Sequence, residues 1–203
     1  MRAWVVVVWL VGAACSRHDA QGEPAPVSAD DMAREQARFD AERRPEKVVE
    51  ALAIGPGSRV ADVGAGAGLL TVHLARAVAP NGKVVATDID ARVLDLLGQR
   101  MKAVGLDKLV EGRKVGADKP ELEAGAYDAI LLAEVDHYFS DPVAWLREAA
   151  AALKPQGRIV ISNRIYHRDK SLGAARKAGL VLASETSPVP THFIAVFVVG
   201  DKK

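Results

Sequence analysis

The sequence predicts an α/β protein with a doubly wound, seven-stranded, mostly parallel sheet that ends in an antiparallel hairpin. Three observations support this fold class. Short β-branched segments alternate with amphipathic segments through most of the chain, which is typical of βαβ units. A glycine-rich segment directly follows the first of the β-branched segments. Near the end of the chain, two strand-like segments follow one another with no helix between them, and this pattern predicts the hairpin.

The predicted elements alternate in a regular order. Helices are expected at residues 31–44, 45–52, 68–78, 91–104, 142–153 and 171–178. Strands are expected at residues 58–63, 83–88, 108–114, 128–133 and 157–162, and the two hairpin strands at 180–185 and 193–199.

Local signals support several of these elements. Asp90 and Asp141 stand where each can cap the helix that follows it. The first helix is dense in charge, and we expect it to rest on the domain through Met32 and Phe39. Ser187–Pro190 contains two prolines and is expected to connect the two hairpin strands.

The most informative segment is Asp62-Val63-Gly64-Ala65-Gly66-Ala67-Gly68. It lies between a predicted strand and a predicted helix, where free backbone N–H groups can meet a ligand. Glycine lets the backbone approach that ligand closely, since it has no Cβ and tolerates positive φ. A dinucleotide fingerprint would have its third glycine at position 69, which is Leu69 here. The spacing therefore disfavours a nicotinamide-dependent oxidoreductase.

Five segments, in order, resemble the motifs of class I S-adenosylmethionine (SAM)-dependent methyltransferases. They are the glycine segment and, after it, Gly82–Asp90, Gly116–Asp118, Tyr127–Val135 and Leu153–Ile161. The resemblance covers about residues 45–199. It implies a Rossmann-like methyltransferase fold, SAM as the cofactor, and a domain at residues 31–203 that includes the N-terminal helix.

The resemblance also implies which residues hold SAM. Asp88 ends the second strand, where a carboxylate can accept hydrogen bonds from both ribose hydroxyls. Asp118 corresponds to the acid that contacts the adenine amino group. The set implied for SAM binding is Asp62, Gly64, Ala65, Gly66, Gly68, Asp88, Ile89, Asp118 and Glu134.

Catalytic residues are harder to predict, because methyl transfer from SAM needs mainly proximity and alignment. Asp136, His137 and Tyr138 follow the fourth strand, a segment that lines the acceptor pocket in many relatives. His137 is the candidate general base, since the ordinary pKa of histidine is near neutrality. The alternative is that His137 packs beside SAM or closes the pocket. No metal site is predicted, because the five histidines have no ligand spacing.

The composition limits which kinds of partner the protein is expected to bind. The chain has 27 basic and 26 acidic residues, so no basic field favours nucleic acid. It carries little beyond the core fold, which leaves the N-terminal helix and short loops to build an acceptor pocket. A small-molecule or lipid-like acceptor is expected, and the oligomeric state is left open.

The first thirty residues predict a leader and a tether. Residues 1–14 combine a basic start, an apolar run and a small-residue end, which is typical of a secretory signal peptide. Cys15, the only cysteine, follows directly and resembles the lipidated cysteine of bacterial lipoproteins. Residues 15–30 are polar and would act as a tether. We expect a membrane-anchored lipoprotein facing the periplasm or cell exterior, whereas a start at Met32 would give a cytoplasmic protein.

The sequence therefore favours a SAM-dependent methyltransferase. The main alternative is an exported, non-catalytic protein that binds SAM or a nucleoside with the same fold. The expected compartment motivates this alternative, because SAM is made in the cytosol.

Overall fold

The computed structural model describes Ser28–Gly200. Its helices are α1 Ala29–Arg43, α2 Pro45–Leu52, α3 Thr71–Val78, α4 Ala91–Ala103, α5 Pro142–Ala151 and α6 Arg168–Lys177. Its strands are β1 Arg59–Val63, β2 Lys83–Asp88, β3 Val110–Lys114, β4 Tyr127–Ala133, β5 Leu153–Arg164, β6 Leu180–Val189 and β7 His192–Val199. Residues 1–14 and Cys15, the predicted leader and lipidation site, lie outside the described residues.

The seven strands form one sheet in the order β3-β2-β1-β4-β5-β7-β6. Strands β1 to β5 pair in parallel, and β7 pairs antiparallel with both β5 and β6. The predicted fold class is confirmed. The strand order reverses between β1 and β4, and in sheets of this kind a ligand binds beyond the carboxyl ends of the strands at that reversal.

Alternate residues of the central strands pack on opposite faces of the sheet. In β4, Ile130 and Leu132 join one core with Trp145 of α5, and Leu131 joins the other core with Leu74 of α3. Both faces are therefore apolar, as expected for a parallel sheet covered by helices. No helix within Ser28–Gly200 has the length and apolar character needed to cross a membrane.

The hairpin differs in detail from its prediction. Ser187 and Pro188 belong to β6, and the turn is made by Pro190 and Thr191. Proline is tolerated there because β6 is an edge strand, where one set of backbone N–H groups has no neighbouring strand to pair with. The pairing of β6 with β7 also shifts register twice, between Leu182 and Ser184 and between Thr186 and Val189.

The predicted caps are confirmed. Asp90 accepts a hydrogen bond from Arg92 N, and Asp141 accepts from the backbone N–H groups of two residues in α5. Helix α1 begins at Ala29, two residues before its predicted start, because Ser28 supplies the cap by accepting from Asp31 N.

Candidate active site

The glycine loop follows β1 and is held against the end of β2. The backbone N–H groups of Gly64 and Ala65 both donate to Thr87 O, at 2.9 and 3.0 Å. Gly66 N donates to Asp88 Oδ2 at 2.9 Å. These bonds bring the loop and the acid of β2 to the same edge of the sheet, as the motif spacing predicts.

The three glycines of the loop all have positive φ, but they meet different surroundings. A Cβ on Gly64 would lie 2.7 Å from Val135 Cγ2, and one on Gly68 would lie 2.9 Å from Leu97 Cγ. A Cβ on Gly66 would have no heavy atom within 4 Å. Packing of the protein itself therefore requires glycine at two of these positions, while Gly66 faces open space that a ligand can fill.

Two adjoining cavities lie along the loop. The larger, of about 260 Å³, is lined by the ends of β1 and β2, by Ile89, and by residues 115–117, 119–120, 134–135 and 138–139. The smaller, of about 180 Å³, is lined by Asp62, residues 64–67 and two side chains of α1. Gly64 and Glu134 line both cavities. Their position beyond the strand ends matches the expected ligand site of this fold.

The carboxylate of Asp88, at the end of β2, accepts two hydrogen bonds from backbone N–H groups. Its Oδ2 accepts from Gly66 N and its Oδ1 accepts from Asp90 N at 3.0 Å. A carboxylate can accept about four hydrogen bonds, so both oxygens retain capacity toward the larger cavity. Ile89 follows Asp88, lines that cavity and is 59% exposed. An exposed isoleucine beside an acid suits a nucleoside, with an apolar base and a polar sugar.

Asp62 is a buried acid at the smaller cavity. Thr71 Oγ1 donates to its Oδ2 at 2.6 Å, and the residue is only 2% exposed. Burial raises the pKa of Asp62 to about 6, opposed by the bond from Thr71 and assisted by the charge of Asp88. A cationic ligand group in this cavity would favour the ionised form of Asp62.

Glu134 stands at the junction of the two cavities. Its backbone has a φ of +52°, a conformation that non-glycine residues adopt rarely and that often marks functional sites. Its carboxylate is bound by Arg43, and Arg164 Nε and His192 Nε2 each lie 3.3 Å from it. Burial opposes ionisation of Glu134, but Arg43 and Arg164 outweigh it and hold the pKa of its carboxyl below its usual value.

Helix α1 reaches this site mainly through polar contacts. Arg100 of α4, 4% exposed, donates to Ala67 O in the glycine loop at 2.8 Å and to Met32 O in α1 at 3.1 Å. Gln36 donates to Leu69 O at 3.0 Å. Met32 is buried as predicted, and Phe39 is half-buried.

These contacts place Phe39 and Arg43 at the smaller cavity. Arg100 belongs to no predicted motif, yet it links the loop to α1. Its spacing on α4, three residues after Leu97 and next to Met101, would have placed it on the buried face. A buried arginine needs hydrogen-bonding or charged partners, so the helical spacing of Arg100 is the sequence signal for its contacts.

Three predicted site residues, Gly68, Asp118 and His137, lie outside the lining of both cavities. Asp118 is exposed and its Oδ1 accepts from Ser140 N at 3.1 Å, while Gly116 and Ala117 line the larger cavity. His137 is turned toward Asn163, and the next residue, Tyr138, lines the larger cavity instead. The roles of Asp118 in adenine contact and of His137 as a base stay predictions.

Polar groups and open space at the site indicate which ligand it can bind. Thr87 Oγ1 is buried at the larger cavity and has no hydrogen-bond partner among residues 28–200. That free hydroxyl, the open space at Gly66 and the acids Asp62 and Asp88 fit a polar nucleoside with a cationic tail, such as SAM. No group of His, Cys, Asp or Glu suited to a metal ion occurs within the same residues.

Comparison with known proteins finds methyltransferases. Residues 61–159 match a family model described as a methyltransferase domain. Ubiquinone biosynthesis O-methyltransferase from Xanthomonas axonopodis pv. citri (strain 306) is 29% identical over 148 residues, covering 70% of this chain and 57% of that protein. A SAM-dependent methyltransferase from Aquifex aeolicus superposes with a TM-score of 0.73 at 23% identity, covering 85% of this chain and 98% of the other.

Geranyl diphosphate C-methyltransferase from Streptomyces coelicolor A3(2) superposes with a TM-score of 0.67 at 17% identity, covering 87% of this chain and 86% of the other. The fold is therefore that of the Rossmann-like methyltransferases. The family match includes the glycine loop and Asp88, and it extends into β5. The chain spans just over half the length of the curated relative it matches.

Proposed function

We propose that the protein is a SAM-dependent methyltransferase. The observation that carries this proposal is the bond from Gly66 N to Asp88 Oδ2, because it joins an open glycine of the smaller cavity to a strand-end acid of the larger one. In the nicotinamide alternative, position 69 would be the third glycine of the fingerprint. It is Leu69 in this chain.

The two cavities would bind different parts of SAM. Asp88 would accept hydrogen bonds from the ribose, with Ile89 against the base at the larger cavity. Asp62 and Arg43, of opposite charge, would face the amino and carboxylate groups of the methionine part at the smaller cavity. SAM, when bound, supplies a methyl group activated by the neighbouring sulfonium. The protein contributes alignment and exclusion of water.

We also propose a small or lipid-like acceptor. The names of two similar proteins refer to ubiquinone biosynthesis and to geranyl diphosphate, both of which involve small or lipid-like compounds. In this chain, α1 and the segments after β3 and β4 surround the cavities beyond the core sheet.

The donor half of the proposal is tested by thermal unfolding with added ligands. SAM and S-adenosylhomocysteine should each raise the melting temperature, because a ligand that binds only the folded state stabilises it. NAD should leave the melting temperature unchanged. Stabilisation by NAD but not by SAM would contradict the proposed cofactor.

The non-catalytic alternative is tested by turnover. Radioactive methyl from SAM should appear in a small-molecule or lipid fraction of a cell extract when the protein is added. A protein that binds SAM but releases no S-adenosylhomocysteine with any fraction would be the SAM-binding alternative.

Location is a separate proposal, based on the apolar leader and Cys15. Intact mass of the protein from its native cell should show a chain that begins at an acylated Cys15 and partitions with membranes. Cys15→Ser should abolish the acyl mass. Recovery of an unmodified chain from the cytosol would contradict membrane anchoring.

A further inference from the structure

Four aromatic rings form a continuous row at the carboxyl edge of the sheet. The rings of Tyr138 and His137 lie 4.0 Å apart, those of His137 and His167 stack at 4.1 Å, and those of His167 and Tyr166 lie 4.3 Å apart. The first two residues follow β4 and the other two follow β5. We call these four residues the ring row.

The two ends of the ring row are open. Tyr138 is 76% exposed and Tyr166 is 72% exposed. Tyr138 also lines the larger cavity, so the row leads outward from the proposed SAM site. Large aromatic surfaces of this kind, next to a ligand cavity, are typical of recognition sites rather than of solvated loops.

A buried network of polar side chains contacts the ring row from the side of the core. Ser171 Oγ donates to Asp136 Oδ2 at 2.5 Å, and Asn163 Nδ2 donates to Asp136 Oδ1 at 2.6 Å. All three of these residues are at most 4% exposed. Asn163 Nδ2 also lies 3.0 Å from His137 Nδ1. His137, in the middle of the row, is therefore held against the core.

The geometry of this buried polar network indicates which nitrogen of His137 carries the proton. Asn163 Oδ1 accepts from Arg164 N at 2.7 Å, and its amide nitrogen faces the carboxylate of Asp136, so its orientation is fixed. The amide therefore donates to His137 Nδ1, and in the neutral ring the proton lies on Nε2. Burial and the neighbouring His167 lower the pKa of His137, although Asp136 and Glu134 oppose this, so the neutral form dominates near neutral pH.

This tautomer would leave His137 as a hydrogen-bond donor and not as the general base that the sequence predicts. The lone pair on Nδ1 already accepts a bond from Asn163, and Nε2 carries a proton, so neutral His137 has no nitrogen free to take one. It can donate a hydrogen bond through Nε2. Two cationic side chains, Arg164 and Lys170, accompany the row, and both are exposed. Within the described residues, Arg164 makes its ion pair through Nε, which leaves its terminal nitrogens for an anion.

We propose that the ring row is the acceptor subsite and that it takes a planar aromatic acid. The acceptor would stack on the rings, its acidic group would face Arg164, and His137 would donate a hydrogen bond to it. Asn163 is then a positioning residue, because it sets the tautomer of His137. This inference rests on the proposed methyltransferase function.

The binding test uses the full chain saturated with S-adenosylhomocysteine, with 4-hydroxybenzoate as the probe in calorimetry. Cyclohexanecarboxylate is the control of similar size and charge without a flat ring, and it should bind about tenfold more weakly, the size of one aromatic contact. Tyr166→Ala should weaken 4-hydroxybenzoate by a similar factor, whereas Tyr166→Phe should leave its affinity unchanged. Equal affinity for the two acids, or equal loss in both variants, would overturn the subsite.

The role of His137 has its own measurement. In ¹⁵N NMR of the wild type, Nε2 should carry the proton and Nδ1 should not, and a proton on Nδ1 would overturn the donor role. His137→Gln keeps an N–H donor and should retain more probe affinity than His137→Ala. Equal losses in the two variants would also overturn it. Failure of S-adenosylhomocysteine itself to bind would instead contradict the proposed function.

Discussion

The donor side and the acceptor side of the site are built in different ways. The proposed donor side consists of the glycine loop and Asp88, which are joined because backbone N–H groups of the loop donate to Thr87 O and to the carboxylate of Asp88. The proposed acceptor side consists of the segments after β4 and β5, which are joined by a buried side-chain network.

This contrast has a chemical reason. Every SAM molecule is the same, so a short motif of backbone groups is enough to hold it. Acceptors differ, and their recognition depends on side chains that the tertiary structure assembles. Substitutions on the donor side should therefore abolish binding of SAM, while those on the acceptor side should leave it intact.

The largest effect is expected from Gly66→Val. The new side chain would fill the space that we assign to SAM, so SAM should no longer raise the melting temperature. Gly105→Val is the matched control. Both glycines have positive φ, 54° and 69°, and open space around an added Cβ, but Gly105 lies outside both cavities. Strain should destabilise both variants by a similar amount, and only Gly105→Val should still respond to SAM. An unchanged response in Gly66→Val would contradict the donor site.

Asp62→Asn should change how stability depends on pH. The pKa of Asp62 in the folded protein is about 6, above the unfolded value of 3.8, so the folded state binds more protons between these values. The stabilisation is complete below pH 3.8 and is lost as pH rises through 6. The loss is about 3 kcal/mol for a shift of this size. Asparagine still accepts from Thr71 but does not titrate.

The variant should therefore gain up to about 3 kcal/mol relative to the wild type between pH 4 and pH 7, measured by urea unfolding. Taking the difference between the two proteins removes the contributions of other carboxylates, such as Asp90, whose lowered pKa has the opposite sign. Parallel stability profiles would show that Asp62 does not titrate in this range.

Asp88→Ala should weaken SAM binding by about 1–3 kcal/mol, the cost of losing charge-assisted hydrogen bonds. Asp141→Ala is the control, since Asp141 also accepts from two backbone N–H groups but only caps α5. It should lower stability by about 1 kcal/mol and leave SAM affinity unchanged. Calorimetry with equal SAM affinity in Asp88→Ala and the wild type would remove Asp88 from the site.

Arg43→Gln should produce the smallest effect. Arg43 joins α1 to Glu134, and the two side chains are 20% and 29% exposed. Because Arg164 and His192 still face Glu134, we expect a loss of about 1–2 kcal/mol, less than for a fully buried pair. Arg34→Gln, which removes an exposed pair with Asp31 on the same helix, should cost less than about 0.5 kcal/mol. Equal losses in urea unfolding would show that α1 is not fastened at Arg43.

Much of the donor side could be predicted from the sequence. The glycine loop, Asp88 and the caps Asp90 and Asp141 all depend on contacts between residues close in the chain or on adjacent strands. The acceptor side could be predicted only as a location. The proximity of Asn163 to His137 arises because β4 and β5 are neighbours, and no local pattern records which side chain of one strand end meets which of the other.

The hairpin shows the same limit on a smaller scale. Its two strands were predicted from their apolar pattern, but the inclusion of Ser187 and Pro188 in β6 depends on that strand being at the edge of the sheet. Proline at an interior strand would have removed a ladder bond. At the edge of the sheet, no ladder hydrogen bond is lost.

The sequence by itself determined the order of the elements, the class of fold and the loop that faces the ligand, because periodicity, caps and glycine spacing act over a few residues. The tertiary structure decided which glycine is open to a ligand, which side chain meets His137 Nδ1 and how Arg100 links α1 to the loop. Those outcomes depend on contacts between residues 26 to 71 positions apart, such as Asn163 with His137 and Val135 with Gly64. Only packing of the whole sheet brings such residues within bonding distance.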